Sequence, residues 1–226
     1  MRPEPAAIVF DFDGVILESA DIKSRAFVET FSEFPEHSAD ILAHHLANAG
    51  VPRYDKFRHI YGKILRRPLT DRIMNDMDRR FSGIVRAAID ACPYVPGIVE
   101  FIERRYREIP LYVASGTPDA ELSGIVARRG LGRYFRLVCG SPRRKTELLA
   151  GILSAAGCPA SRALMIGDGV EDRRAAARVG TCFLGRWSGT GDNPFAGLGV
   201  TVFEDFVTLE SDWAAMELES CSAVAI

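Results

Sequence analysis

Pairs of aspartates follow two of the five short apolar runs in this sequence. Asp11 and Asp13 come directly after the first run, and Asp168 and Asp172 follow the fourth. Carboxylates that meet at one place repel each other unless a divalent cation lies among them, and a set of hard oxygen ligands selects Mg²⁺. The sequence therefore predicts a magnesium site among these carboxylates.

Groups that suit a phosphoryl oxygen lie elsewhere along the chain. Ser115 and Gly116 follow the second apolar run, and Lys145 precedes the fourth. Phosphoryl transfer depends mainly on positioning and on stabilisation of charge, which a hydroxyl, backbone amides and an ammonium group provide. Each group alone is an ordinary turn former, helix cap or solvated cation. Their placement relative to the strands and their order along the chain are what indicate a reaction.

Periodicity indicates the elements that position these residues. The apolar runs are too short for helices and rich in β-branched or aromatic residues, so they predict buried strands at 6–10, 110–114, 135–139, 163–166 and 181–184. Helical spacing separates the later runs, at 96–108, 118–129, 142–156 and 170–179. This alternation predicts an α/β fold with a doubly wound parallel sheet, in which ligands bind at the carboxyl ends of the strands.

A long helical segment interrupts the alternation after the first strand. Residues from about Ala20 to Cys92 show helical spacing almost throughout, and turn residues follow where the chain re-enters the sheet. The sequence therefore predicts a catalytic core made of residues 1–19 and 93–226, with residues 20–92 inserted as a helical cap domain.

The overall composition favours small-molecule chemistry. The 226 residues carry a formal charge of −2 with the two signs interspersed, which gives no footprint for nucleic acid or an anionic membrane. Five scattered cysteines without a metal-type spacing predict reduced thiols in a cytoplasm, and no signal peptide or transmembrane stretch is expected. The choice between monomer and homodimer stays open, as does the role of the tail from about residue 212 to 226.

Taken together, these motifs resemble those of the haloacid dehalogenase superfamily, in the branch whose helical cap follows the first motif. The run Asp11-Phe12-Asp13-Gly14 is similar to the first motif, Ser115 to the second, Lys145 to the third and the Asp168–Asp172 pair to the fourth. Thr117 is an alternative to Ser115, which fits better because it directly follows the strand. The resemblance spans nearly the whole chain and implies a Rossmann-like core.

The resemblance also implies roles for these residues. Asp11 would attack phosphorus, and Asp13 would act as general acid and then as general base. Mg²⁺ would be held by Asp11, Asp13, Asp168 and Asp172, while phosphate would be bound by Ser115, Gly116 and Lys145. Dehalogenases of the superfamily lack the second aspartate, so Asp13 favours phosphoryl transfer.

Three functions remain open within this resemblance. The first is a Mg²⁺-dependent phosphatase of a small phosphorylated metabolite, such as a phosphosugar or phosphoglycolate, related to phosphoglycolate phosphatase. The second is a sugar phosphomutase of the β-phosphoglucomutase type, because Arg53 matches an arginine of that enzyme's substrate loop, although Lys23 stands where the mutase has histidine. The third is a non-catalytic binding module. Arg53 and Lys23 are thus candidate specificity residues. The sequence does not indicate whether Tyr54 and Lys56 face solvent.

Overall fold

A computed structural model describes residues 4–48 and 51–213. The predictions about the tail beyond residue 213, Cys221 and residues 49 and 50 of the cap loop lie outside these ranges. None of the helices within them is long and apolar enough to cross a membrane. The strands are β1 (Ala7–Phe10), β2 (Leu111–Pro118), β3 (Phe135–Ser141), β4 (Ala163–Gly167), β5 (Cys182–Arg186) and β6 (Val202–Phe203).

These strands form one parallel sheet in the order β3-β2-β1-β4-β5-β6. The chain moves outward from β1 in one direction through β2 and β3, and then in the other direction through β4, β5 and β6. Strand order therefore reverses beside β1, where a crevice opens at the carboxyl ends of the strands. The predicted α/β, Rossmann-like doubly wound sheet is confirmed. The short edge strand β6 was not predicted.

Helices cover both faces of this sheet, as a buried parallel sheet requires. Successive side chains of β1 point to opposite faces, so Ile8 and Phe10 pack in one core layer while Ala7 and Val9 pack in the other. The helices of this part of the chain are α5 (Ile98–Arg105), α6 (Asp119–Arg128), α7 (Lys145–Ala156), α8 (Val170–Val179) and α9 (Phe206–Asp212).

The described residues of the segment 20–92 are largely helical, as predicted. It contains α1 (Ala20–Thr30), α2 (Ser38–Ala47), α3 (Arg53–His59), a π-helical turn (Ile60–Ile64) and α4 (Asp71–Asp90). Its own apolar centre is aromatic: Phe27 lies 5.6 Å from Phe57 and 4.9 Å from Phe81 between ring centroids. The division of the chain into a core and a cap domain stays a prediction.

The chain crosses between the sheet and this helical segment at two neighbouring places. Leu17 forms a β-bridge with Tyr94, the Glu18 amide donates to the Pro93 carbonyl at 3.0 Å, and the Val95 amide donates to the Ile16 carbonyl at 3.1 Å. The outgoing and returning chains are thus hydrogen-bonded to each other.

Candidate active site

The first motif lies at the carboxyl end of β1, at the reversal of strand order. The Asp11 amide donates to the Ile166 carbonyl at 2.8 Å, which anchors the residue beside β4. Its carboxylate is 2% exposed, with Oδ1 accepting from the Phe12 amide at 2.7 Å and lying 2.8 Å from Lys145 Nζ. One carboxylate oxygen is therefore fixed by protein groups, and no hydrogen bond to the other comes from the part of the chain that the structure describes.

Lys145 links the first and fourth motifs. As the first residue of α7 it is buried, and its Nζ lies between Asp11 Oδ1 and Asp172 Oδ1, at 2.8 and 2.7 Å. Asp172 also caps α8, because its Oδ2 accepts from the Gly169 amide at 3.0 Å. Both oxygens of Asp172 thus have protein partners, so in this arrangement it orients Lys145 and the loop before α8.

Asp168 faces the same space with fewer restraints. Oxygens of Asp11, Asp168 and Asp172 all lie within 4.8 Å of one another. Within the described residues no protein group donates to either Asp168 oxygen. A side-chain carbon on Gly14, whose φ is +74°, would lie 2.0 Å from Asp168 Oδ2, so only glycine allows this close approach of the first-motif backbone.

Asp13 is held by a separate set of groups. Its Oδ1 accepts from Ser19 Oγ at 2.6 Å, and its Oδ2 accepts from Thr117 Oγ1 at 2.9 Å and pairs with Lys23 Nζ. Burial alone would raise the pKa of Asp13, but Lys23 and the hydrogen bonds from Ser19 and Thr117 outweigh it and lower that pKa. The Asp13 side chain does not join the cluster around Asp168, and its place as a metal ligand stays a prediction.

The charge of the site fits a divalent cation. Four aspartates, Asp11, Asp13, Asp168 and Asp172, share this site, and among the described residues two lysines, Lys23 and Lys145, are ion-paired with them, so the carboxyl groups outnumber these cations. Burial raises the pKa of Asp11 to about 7, with Lys145 opposing and the neighbouring carboxylates adding to the rise. Burial, with Asp11, Asp172 and Asp13 adding to its effect and Lys145 opposing it, raises the pKa of Asp168 well above its usual range. Oxygen donors with surplus negative charge are what Mg²⁺ requires.

The second motif divides its groups between the interior and the cavity. Ser115 is fully buried, and its Oγ accepts from the Thr117 amide at 3.1 Å. Gly116 and Thr117 line a cavity of about 110 Å³ that Asp11, Asp13 and Asp168 also face. Phosphate binding by Ser115 and Gly116 stays a prediction. Thr117, which the sequence suggested only as an alternative to Ser115, donates a hydrogen bond to Asp13.

The two candidate specificity residues, Lys23 and Arg53, both line this cavity but have different partners. Lys23 lies beside Asp13, with its Nζ 2.6 Å from Thr117 Oγ1. Arg53 is 6% exposed and ion-paired with Asp78, 3.0 Å away, and with Glu121. The guanidinium of Arg53 therefore already has two carboxylate partners.

Sequence reasoning missed two residues that shape the site. Arg186, at the end of β5, donates to both carboxylate oxygens of Glu18 at 2.9 and 2.7 Å and to the Gly14 carbonyl at 3.1 Å, so it fixes the loop after the first motif. Its position at a strand end was the signal that could have found it. Lys56, left open between solvent and the interior, is 4% exposed and lines the cavity.

The chain resembles known proteins over most of its length. A family model described as haloacid dehalogenase-like hydrolase matches residues 5–180. The chain is 26% identical to a phosphoglycolate phosphatase of Agrobacterium fabrum, covering 92% of each chain, and 27% identical to a 5'-nucleotidase of Pseudomonas aeruginosa, covering 81% of this chain and 83% of that protein. Among solved structures, CbbY of Rhodobacter sphaeroides with bound xylulose-1,5-bisphosphate has a TM-score of 0.69 at 21% identity, covering 91% of this chain and 96% of that one. The predicted family resemblance is thereby confirmed, and the chain belongs to the haloacid dehalogenase-like hydrolase family.

Proposed function

We propose that this hydrolase is a Mg²⁺-dependent phosphatase that cleaves a small phosphorylated metabolite through an aspartyl-phosphate intermediate. The observation that carries the proposal is the placement of Asp11 and Asp13 on one cavity, each with its own lysine partner, beside Asp168. Two relatives named as a phosphoglycolate phosphatase and a 5'-nucleotidase, both enzymes that hydrolyse phosphoric monoesters, support this reaction class.

Asp11 is the nucleophile in this proposal. The Phe12 amide and Lys145 hold its Oδ1, so its other oxygen would be the one that attacks the phosphorus of a bound monoester. Asp11 and Asp168 would hold Mg²⁺, with Asp172 beside them, and the bound ion would neutralise charge between the carboxylate and the phosphate. Asp11 forms the new bond to phosphorus as the ester oxygen leaves.

Asp13 handles the proton in both steps. Lys23, Ser19 and Thr117 favour its ionised form, but a phosphate dianion placed beside it favours the protonated form, because like charges disfavour ionisation. The protonated carboxyl then gives its proton to the leaving oxygen. Once ionised again, Asp13 takes a proton from the water that attacks the aspartyl phosphate, and inorganic phosphate is released.

The size of the cavity favours a compact substrate. Its volume of about 110 Å³ is small compared with the roughly 300–1,000 Å³ of pockets for drug-sized ligands. A short phosphorylated metabolite matches this space better than a nucleotide. A cytoplasmic location and a monomeric or homodimeric state remain predictions.

The experiment that tests this function compares Asp11→Asn with Asp21→Asn, a matched change at an exposed residue of α1. With p-nitrophenyl phosphate and Mg²⁺, Asp11→Asn should lose turnover by at least about a thousandfold, while Asp21→Asn retains it. Retained turnover in Asp11→Asn would contradict the proposal. Conversion of a sugar monophosphate into its isomer without release of phosphate would instead identify a phosphomutase.

A further inference from the structure

One wall of the cavity carries a buried lysine that phosphoryl transfer does not use. Lys56 is the middle residue of α3, is 4% exposed and lines the same cavity as Asp11, Asp13 and Asp168. A lysine is almost never fully buried unless it is paired. The groups around its ammonium group therefore show whether an ion pair within the protein accounts for its burial.

Those partners are neutral. Within the described residues the hydrogen-bond partner of Lys56 Nζ is His45, at 3.3 Å from Nδ1 and 3.5 Å from the carbonyl oxygen, and Nζ also lies 5.4 Å from the centre of the Phe27 ring. Burial lowers the pKa of His45 to about 2, with Lys56 and Lys23 adding to the effect, so the imidazole is uncharged. No carboxylate in these parts of the chain forms an ion pair with Lys56, which leaves its charge uncompensated by direct contact.

The charges around Lys56 are more distant and of both signs. Burial, with Lys23 adding to its effect, lowers the pKa of Lys56 to about 7, against the opposing influence of Asp168, Asp13 and Asp11 across the cavity. An ammonium group in this position gains most from an anion that enters the cavity and contacts it directly.

Arg53, the other cation on this side of the cavity, is already neutralised. Its Nε lies 3.0 Å from Asp78 Oδ1, its Nη2 pairs with Glu121, and its Nη1 donates to Ser82 Oγ at 3.0 Å. A ligand anion would have to compete with two carboxylates for this guanidinium. Among the described residues no carboxylate competes in this way for Lys56.

We propose that Lys56 binds a second anionic group of the substrate, a carboxylate or a second phosphate at the end remote from the transferred phosphoryl group. This inference rests on the proposed phosphatase function and deepens it. Asp11 and Asp13 receive the reacting phosphate, and Lys56 discriminates between monoesters by the charge of their remaining part. Arg53 then ties α3 to α6 through Glu121 and positions Lys56 without contacting the substrate.

The apolar surroundings strengthen this selection. Phe27, Val51 and Phe81 line the cavity beside Lys56, and an ion pair formed among apolar walls is screened less by water than one at the surface. The small cavity volume limits the distance between the two anionic groups, which favours short molecules.

The test uses three phosphate esters that differ in the remote group. They are 2-phosphoglycolate with a carboxylate, ethylene glycol monophosphate with a hydroxyl, and ethylene glycol bisphosphate with a second phosphate. The wild-type kcat/KM should be higher for an anionic ester than for the hydroxyl ester, and the ester with the higher value identifies whether carboxylate or phosphate is bound. Lys56→Met should reduce that preference about tenfold or more, mainly through KM, because a charge-assisted contact is lost.

Control variants separate this role from general effects on the protein. Lys63→Met makes the same change at an exposed residue of the π-helical turn, and it should keep the wild-type preference. Lys56→Gln should behave like Lys56→Met, and it provides a second variant if the methionine protein does not fold. If Arg53→Met removes the preference while Lys56→Met keeps it, or if the wild type shows no preference, the role of Lys56 is refuted.

Binding to the Asp11→Asn protein separates this inference from the proposed function. Calorimetry should show tighter binding of an anionic ester than of the hydroxyl ester, and adding Lys56→Met should remove that difference. This result supports the inference even when turnover fails to support the phosphatase. Equal binding of all three esters would refute the role of Lys56 while leaving the phosphatase proposal in place.

Discussion

Replacing Lys56 by methionine should stabilise the protein, although it removes a proposed substrate contact. Methionine has a similar length and keeps the packing against Phe27, but it does not bring a charge into the interior. The wild-type protein must either bury an ammonium group that lacks a carboxylate partner or release its proton on folding. Both options cost free energy of folding at neutral pH.

The size of this cost follows from the pKa of Lys56, which burial lowers from 10.5 to about 7. Since each pKa unit corresponds to about 1.4 kcal/mol, the cost reaches about 5 kcal/mol as an upper bound. It is fully present below pH 7, where Lys56 is charged in both states. It falls as the pH rises from 7 towards 10.5, because the folded protein is then neutral at this position while the unfolded chain still binds the proton. The advantage of Lys56→Met should therefore shrink from about 5 kcal/mol at pH 6 to about 2 kcal/mol at pH 9.

Urea unfolding of both proteins at pH 6, 7.5 and 9 in EDTA measures this difference. The other groups facing Lys56, namely His45, Lys23 and the aspartates across the cavity, are present in both proteins, so their direct contributions largely cancel in the comparison. Lys63→Met serves as the exposed control and should change the free energy of unfolding by less than about 0.5 kcal/mol. A destabilised Lys56→Met protein, or a difference that does not vary with pH, would show that Lys56 is not a buried cation without a partner.

Three further predictions concern the chemistry and the metal. In a stopped-flow experiment with p-nitrophenyl phosphate, Asp13→Asn should release about one nitrophenolate per enzyme in a burst and then turn over slowly. The burst remains because this leaving group needs no acid, whereas the later attack of water needs the base. An unchanged steady-state rate would refute the role of Asp13 as the base. Gly14→Ala should lose activity and lower the melting temperature, because its new side-chain carbon would lie 2.0 Å from Asp168 Oδ2. In Gly151→Ala the new carbon meets no atom within 4 Å, so this control variant should stabilise α7 by about 0.5–1 kcal/mol. Calorimetric melting curves compare the two variants. Mg²⁺ at millimolar concentration should raise the melting temperature of the wild type, and Asp168→Asn should lose most of this increase; an equal increase in both proteins would place the ion elsewhere.

The sequence was a good guide to the sheet and to the residues at its carboxyl edge. Buried parallel strands are short apolar runs, and their ends meet at one edge whatever connects them, so the sequence alone predicts that Asp11 and Asp168 are neighbours. Strand β6 was missed because Val202–Phe203 is a two-residue element, and so short a run leaves no periodic signal.

The environment of the cavity wall was beyond sequence reasoning. Arg53 is ion-paired with Asp78 on α4 and with Glu121 on α6. No local sequence pattern indicates which acidic residue of a distant helix will meet a given arginine. Whether Lys56 faced water or the cavity likewise depended on how α3 packs against its neighbours. Helical periodicity gives the spacing of residues on a face but not what that face meets.

The hydrogen-bonded pair of chain crossings at Leu17 and Tyr94 has an evolutionary consequence. Because everything between them leaves and returns at the same point, that stretch can be lengthened, shortened or exchanged without moving the two ends of the gap in the core. The proposed nucleophile, Asp11, lies just before the first crossing, whereas Lys56 and Arg53 lie between the two. With the roles proposed above, the reaction and the choice of substrate would be encoded in separable parts of the chain, and a lineage would acquire a new substrate by replacing one continuous segment.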